Sequence, residues 1–125
     1  MQIIIKTKDV ELTQPLEAMI NNKIGSLRKF MKSFEGHRLP VAGGKNLFDI
    51  FVDVAKETNR HQKGNIFKTE VRLYLPGKNL FVKAVGEDVV QTIFEVRDEL
   101  ESELRKYKSK IVEFPIRKAR QAGQR

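Results

Sequence analysis

Apolar positions along this chain follow two rhythms, one of three to four residues and one of two, and the changes of rhythm divide it into elements. Ile3, Ile4 and Ile5 are β-branched and stop at Lys6, which predicts a first strand over residues 2–7. The helical rhythm follows: Leu16, Met19, Ile20, Ile24, Leu27, Phe30, Met31 and Phe34 recur every three or four positions. With Thr13 as N-cap and Pro15 in the first turn, they predict one amphipathic helix to about residue 33. Gly36, Pro40, Gly43 and Gly44 then punctuate a loop over residues 35–46. Phe48, Ile50, Val52 and Val54 alternate with Asp49, Phe51, Asp53 and Ala55, the period of a half-buried strand. Residues 56–65 are polar and read as a flexible connection.

A third strand spans residues 66–75, where Phe67, Thr69, Val71, Leu73 and Leu75 oppose Lys68, Glu70, Arg72 and Tyr74. Residues 76–79, Pro-Gly-Lys-Asn, form a turn, and residues 80–85 return as the second strand of a hairpin. Gly86 closes it. Asp88 with Gln91 three residues on has the form of a capping box, opening a helix that carries Val89, Val90, Ile93, Val96, Leu100, Leu104, Tyr107 and Ile111 on one side. The order β-α-β-β-β-α predicts an α+β two-layer sandwich, with a four-stranded sheet covered on one face by two helices. Residues 1–112 form the folded domain, and residues 113–125, small and basic without periodicity, form a flexible tail.

Charge adds what periodicity does not. The 125 residues carry 24 bases and 16 acids, a net charge of +8. Between Leu104 and Arg125 stand Arg105, Lys106, Lys108, Lys110, Arg117, Lys118, Arg120 and Arg125 against Glu113 alone, a local balance of +7 out of that +8. Positive charge gathered at one end binds and steers polyanions, whereas dispersed charge mainly keeps a protein in solution. Cysteine is absent, which excludes disulfides, thiolate chemistry and cysteine-ligated zinc, and fits a reducing compartment. The amino terminus turns polar too soon for a signal peptide and no later run approaches a membrane span, so the expected location is the cytoplasm.

Catalytic chemistry has little to build on. His37 and His61 have no nucleophile or acid at a suggestive spacing. Gly43-Gly44-Lys45-Asn46 resembles a phosphate loop, but Leu39 and Asn46 stand where the Walker pattern needs Gly and Ser or Thr. Asp98, Glu99, Glu101 and Glu103 spread around a helix instead of converging as metal ligands must. The expectation is a non-enzyme without cofactor, metal or small-molecule substrate.

On the last helix the acids precede Arg105, Lys106, Lys108 and Lys110, an order that the helix dipole and the Glu101/Arg105 spacing favour for stability alone. Neither effect calls for the further bases beyond Pro115. The first helix adds Lys23, Arg28, Lys29 and Lys32. Lys23 and Arg97 fall inside the apolar stripes of their helices, so each snorkels to the edge or rises through the groove between helices to join one basic surface. Aromatic residues do not interleave with these bases apart from Tyr107, and the glycine-aromatic signature of an RNA-recognition-motif strand is absent. That favours recognition by phosphate and shape over base reading.

The element order, the helix start at Thr13, Pro76-Gly77 in the hairpin, Gly86-Glu87-Asp88, and Leu100-Glu101 through Leu104-Arg105-Lys106-Tyr107-Lys108 together resemble the ribosome hibernation promoting factors, or sigma-54 modulation proteins, over residues 1–112. The resemblance implies a double-stranded-RNA-binding-domain-like fold in the decoding region of the small ribosomal subunit, overlapping mRNA and the A- and P-site tRNAs. Lys23, Lys29, Lys106 and Lys108 match basic places of the family. Ser26, Glu99 and Ser102 stand where members often carry Lys or Arg, Arg97 replaces an apolar residue, Val90 an aromatic one, and the loops over residues 35–46 and 56–65 look long. The resemblance does not extend to the longer members' additional dimerisation domain, so the expectation is the short form.

The reading that follows is an inhibitor of translation that binds small-subunit rRNA and is monomeric off the ribosome. Its RNA-binding residues are Lys23, Arg28, Lys29, Lys32, Arg97, Arg105, Lys106, Lys108, Lys110, Arg117, Lys118 and Arg120. Two alternatives stay open: a protein-interaction module using an exposed sheet face with Phe51, Tyr74 and Phe81, and a general double-stranded RNA binder.

Overall fold

A parallel strand pair organises the chain, which is described by a computed structural model over residues 2–35, 49–57, 64–75 and 77–110. Strand β1 (Ile3–Lys8) runs parallel to β2 (Ile50–Glu57), with Ile3 opposite Ile50 and Lys8 opposite Ala55. Their entry is tied down twice: the Ile50 N–H donates to the Gln2 carbonyl at 2.8 Å, and the Gln2 N–H donates to the buried Asp49 Oδ1 at 3.1 Å. β3 (Ile66–Leu75) and β4 (Lys78–Gly86) extend the sheet antiparallel, in the order β1-β2-β3-β4. Helices α1 (Gln14–Gly25), α2 (Arg28–Glu35) and α3 (Val89–Lys108) cover one face. The α+β two-layer architecture with a four-stranded sheet is thus the one expected from the alternation.

The core lies between the layers. Ile50, Val52 and Val54 on β2, Val71, Leu73 and Leu75 on β3, and Leu80, Val82 and Ala84 on β4 meet Ile20, Ile24, Leu27 and Met31 from the first helices and Ile93, Val96, Leu100 and Leu104 from α3. Burial of such branched side chains supplies the main stabilising term of the fold.

Several element boundaries differ from the sequence expectation: β1 lies one residue later than residues 2–7, β4 ends at Gly86, and three further differences have a clear cause. The single first helix is two, broken at Ser26 and Leu27. There the Ser26 Oγ donates to the Lys23 carbonyl at 2.6 Å, and the Leu27 N–H turns to the Ile24 carbonyl at 3.0 Å. A serine hydroxyl that competes for a helical carbonyl, placed after a flexible glycine, interrupts the ladder although the apolar stripe continues through it. Lys56 and Glu57 belong to β2 and not to a flexible connection, because they pair with Phe67 and Ile66 and Glu57 bonds Lys68 at 3.1 Å. The return strand begins at Lys78, two residues early. Gly77, at φ +77°, takes the left-handed bend and lets Lys78 pair with Leu75 at once.

The two helix starts are as expected in kind. Thr13 caps α1 by accepting from the Leu16 N–H, and Asp88 caps α3 by accepting from the Val90 N–H at 2.9 Å. Gln91 does not reach back to complete a capping box; its amide donates to Glu95. The loop glycines, His37, His61, Phe48, Pro76, Ile111 and the tail over residues 113–125 lie outside the described residues.

One polar contact crosses the core. Thr92 Oγ1 donates to the Val89 carbonyl at 2.7 Å, so the 2.8 Å contact with Thr69 Oγ1, both side chains fully buried, is one in which Thr69 donates and Thr92 accepts. The two threonines are therefore not equivalent. Thr92→Val leaves a buried donor on Thr69 without an acceptor and is expected to destabilise by about 1–3 kcal/mol. Thr69→Val costs less, and the double valine variant recovers most of the deficit. Chemical denaturation of the three variants checks this; equal destabilisation at the two positions would contradict the donor assignment.

Candidate nucleic-acid interface

Eight of the bases singled out by the sequence, Lys23, Arg28, Lys29, Arg97, Arg105, Lys106, Lys108 and Lys110, lie on the three helices or just past the end of α3, and their geometry sorts them. Lys23 climbs out of the α1 stripe and places its ammonium 4.9 Å from the centre of the Phe94 ring on α3. Arg97 crosses the same groove from the other side: its Nε donates to Ser26 Oγ at 3.2 Å, and its Nη1 donates to Glu101 Oε2 at 2.6 Å and to Asp98 Oδ1 at 3.1 Å. Its side chain is only 19% exposed. Snorkelling here thus ends in defined contacts that tie the helices to each other.

The chain of contacts continues along α3. Glu101 accepts with its other oxygen from Arg105 Nη2 at 3.2 Å, and the Arg105 guanidinium lies 5.1 Å from the Phe30 ring of α2, on which Lys29 also rests at 5.2 Å. The Arg105 hydrogen bond, acting against partial burial and helped by Arg97, holds the Glu101 carboxyl below the usual glutamate range. Lys106 pairs with Glu103 at 3.4 Å. Among the described residues no carboxylate lies within ion-pair reach of Lys23, Arg28, Lys29, Lys108 or Lys110. The surface therefore holds two kinds of base: Arg97, Arg105 and Lys106 are paired with acids, and the other five have no acidic partner among the described residues.

Lys32 belongs to α2 by its backbone, and its side chain lies outside the described residues, as do Arg117, Lys118 and Arg120. The sequence reading of the aromatics needs correction. Tyr107, expected to interleave with the bases, is 3% exposed, and burial pushes its hydroxyl pKa up. Phe30 and Phe94 are the rings that sit among cations. The signal for them in the sequence is their position at the flank of each apolar stripe. Two departures from the resemblance also meet in space: Arg97, which replaces an apolar residue, bonds Ser26, which replaces a base.

One cleft of about 410 Å³ at the starts of α1 and α3 is lined mainly by Val10, Leu16, Met19, Phe67, Val89 and Val90; its polar lining is Glu11 and Thr13, whose hydroxyl accepts from the Leu16 N–H as the cap of α1. No group of three potential ligands is placed to hold a metal among the described residues. Nor is any described helix long and apolar enough to cross a membrane.

Known proteins resemble this chain in sequence and in fold. Over 113 residues the chain is 29% identical to the ribosome hibernation promotion factor of Lactococcus lactis subsp. cremoris (strain MG1363), an alignment that takes in 89% of this chain and 51% of that protein. The chain thus spans about half the length of that curated relative. Among solved structures it is similar to a ribosomal subunit interface protein from Coxiella burnetii, with a TM-score of 0.58, 20% identity, and coverage of 87% of this chain and 99% of the other. It is similar also to the N-terminal domain of Thermus thermophilus Protein Y, with a TM-score of 0.58, 16% identity, and coverage of 86% and 99%. These two likenesses support the fold. The family described as sigma 54 modulation protein / S30EA ribosomal protein matches residues 3–112, and by that match the chain belongs to it.

Proposed function

We propose that this protein is a ribosome hibernation factor that binds small-subunit rRNA in the decoding region, where it overlaps mRNA and the A- and P-site tRNAs and keeps idle ribosomes inactive. The observation that carries the reading is the helical surface on which Lys23, Arg28, Lys29, Lys108 and Lys110 stand without acidic partners among the described residues, in a member of a ribosome-associated family. Residues 1–112 act as the ribosome-binding domain. The bases of residues 113–125, Arg117, Lys118 and Arg120 among them, add contacts beyond it. The protein works in the cytoplasm, as a monomer off the ribosome and without catalysis or cofactor: exclusion of mRNA and tRNA needs binding alone.

Unpaired surface bases bind phosphates by releasing condensed counterions, which makes affinity fall steeply with salt. Arg97, Arg105 and Lys106 contribute less, because each must first share or leave a carboxylate. Binding to purified small subunits should be displaced by tRNA; co-sedimentation unaffected by saturating tRNA would contradict the decoding site.

Replacing Lys106, Lys108 and Lys110 by Gln should make the dependence of log K on log salt shallower by about 0.7–0.9 for each phosphate that is no longer neutralised, with Lys108 and Lys110 carrying the larger share. An unchanged slope would remove these residues from the interface. Glu101→Gln acts in the opposite sense. It frees Arg97 and Arg105 for phosphate and should tighten ribosome binding by a few-fold, the scale of a surface ion pair. The same change should lower thermal stability at neutral pH. Because the folded-state pKa of Glu101 is depressed, its contribution is present above the ordinary glutamate range and is lost as pH falls through the lowered value, so wild type and variant should converge in acid. Thermal melts at neutral and acid pH test the sign.

A further inference from the structure

The face of the sheet away from the helices is uncovered among the described residues, and the strand register shows what stands on it. Ile4, Phe51, Arg72 and Phe81 form one cross-strand row, Lys6, Asp53, Glu70 and Lys83 the next, and Lys8, Ala55, Lys68 and Val85 a third. Tyr74 lies beyond the first row, with its ring edge-on to Phe51 at 5.9 Å. Phe81 is 56% exposed and Tyr74 43%. Arg72 stands between Phe51 and Phe81 in the row, its guanidinium 5.6 Å from the Phe51 ring, and its buried Nε has no hydrogen-bond partner among the described residues. Planar groups on three neighbouring strands thus form one platform.

Charge on this face has an order as well. The central acids are answered by the face's own bases: Arg72 pairs with Asp53 at 3.3 Å, and Lys68 bonds Glu57 and Glu70, each at 3.1 Å. Lys6 and Lys8 on the edge strand β1 and Lys83 on the edge strand β4 have no carboxylate within ion-pair reach among the described residues. A cleft of about 350 Å³ opens beside Lys6, Lys8 and Lys68. The rings are therefore bordered at both edges of the sheet by cations without a counter-charge among the described residues.

We infer that this sheet face is a second nucleic-acid surface, which takes single-stranded RNA by stacking bases on Phe81 and Tyr74, beside Phe51 and the Arg72 plane, and drawing phosphates to Lys6, Lys8 and Lys83. Every base has a planar face, so stacking is tolerant of sequence, and the flanking lysines match a phosphate backbone. A duplex hides its base faces and cannot use the rings. An apolar protein surface or a second copy of the chain would cover the rings but leave the lysines beside them desolvated and unpaired. Phe51 and Phe81 are two strands apart, roughly 10 Å by ordinary strand spacing, which leaves room for separate bases. This surface is opposite the helical one, and the inference does not require the ribosome to be the partner of either.

Fluorescence anisotropy of the 125-residue protein with a labelled mixed-sequence single-stranded RNA ten-mer, and with the same strand in a duplex, tests the inference. Phe81→Trp, which keeps a planar ring, should retain single-strand binding. Phe81→Leu, which keeps an apolar side chain, and Tyr74→Ala should each weaken it roughly ten-fold or more, with duplex binding unchanged. The Lys106/Lys108/Lys110 variant should keep the difference between single strand and duplex. Retention of single-strand affinity in Phe81→Leu would overturn the stacking surface, since a merely hydrophobic contact would survive that change. Loss of single-strand binding only in the helix-face variant would overturn it too, and so would self-association in sedimentation that Phe81→Leu abolishes. None of these results bears on ribosome co-sedimentation, so the two proposals fail separately.

Discussion

The parallel pairing of β1 with β2 is the constraint from which the rest of this molecule follows. Parallel neighbours cannot be joined by a hairpin; the chain must leave the end of β1, cross a face of the sheet and return to the start of β2. In this chain α1 and α2 lie along that crossing, and α3 packs on the same face behind β4. The Gln2, Asp49 and Ile50 hydrogen bonds hold the pair in register where it begins. A shift of one residue would turn Ile3 and Ile5 away from the core and bring Ile4 and Lys6 into it, so register and layering are one constraint. The molecule consequently has a helical surface and a sheet surface, and each strand contributes alternate residues to the core and to the open face.

That alternation explains how much could be read from the sequence. Along β3 the buried Thr69, Val71, Leu73 and Leu75 follow the period of two, because side-chain direction in a strand is set by the backbone alone. Element ends were less legible. Glu57 and Lys78 are strand residues because partners across the sheet pair with them, information that is not local to either. The break at Ser26 was hidden for the opposite reason: it arises from one hydroxyl competing for one carbonyl, while Leu27, Phe30 and Met31 continue the stripe undisturbed.

The bases of the helical surface were visible by type and position, but their partners were not. The Glu101/Arg105 spacing announced one pair, whereas the tie from Arg97 to Ser26 joins residues 71 apart in sequence. Neither position is unusual until α1 and α3 are side by side. A polar residue entering an apolar stripe was the trace of this contact in the sequence, and snorkelling and function leave the same trace. Phe51, Tyr74 and Phe81 illustrate the same limit on the sheet: alternation placed them outward, but only the register sets Arg72 among them and Lys6 and Lys83 at the borders.

Ion pairs on the helical surface also bear on what it can distinguish. A lone phosphate offered to Arg105 must compete with Glu101 Oε1, while the other oxygen of Glu101 stays with Arg97. Exposed ion pairs contribute little, so this opposition is small at each site. On the proposed reading it is met only at the paired bases, whereas the gain rises with the number of phosphates that arrive at once. A phosphate-dense surface that reaches Lys23, Arg28, Lys29, Lys108 and Lys110 together would then recruit the paired bases as well, which a lone anion at Arg105 would do less readily. If the helical surface is the phosphate-binding one proposed above, the acids among the bases of α3 trade affinity for discrimination without any base-specific contact.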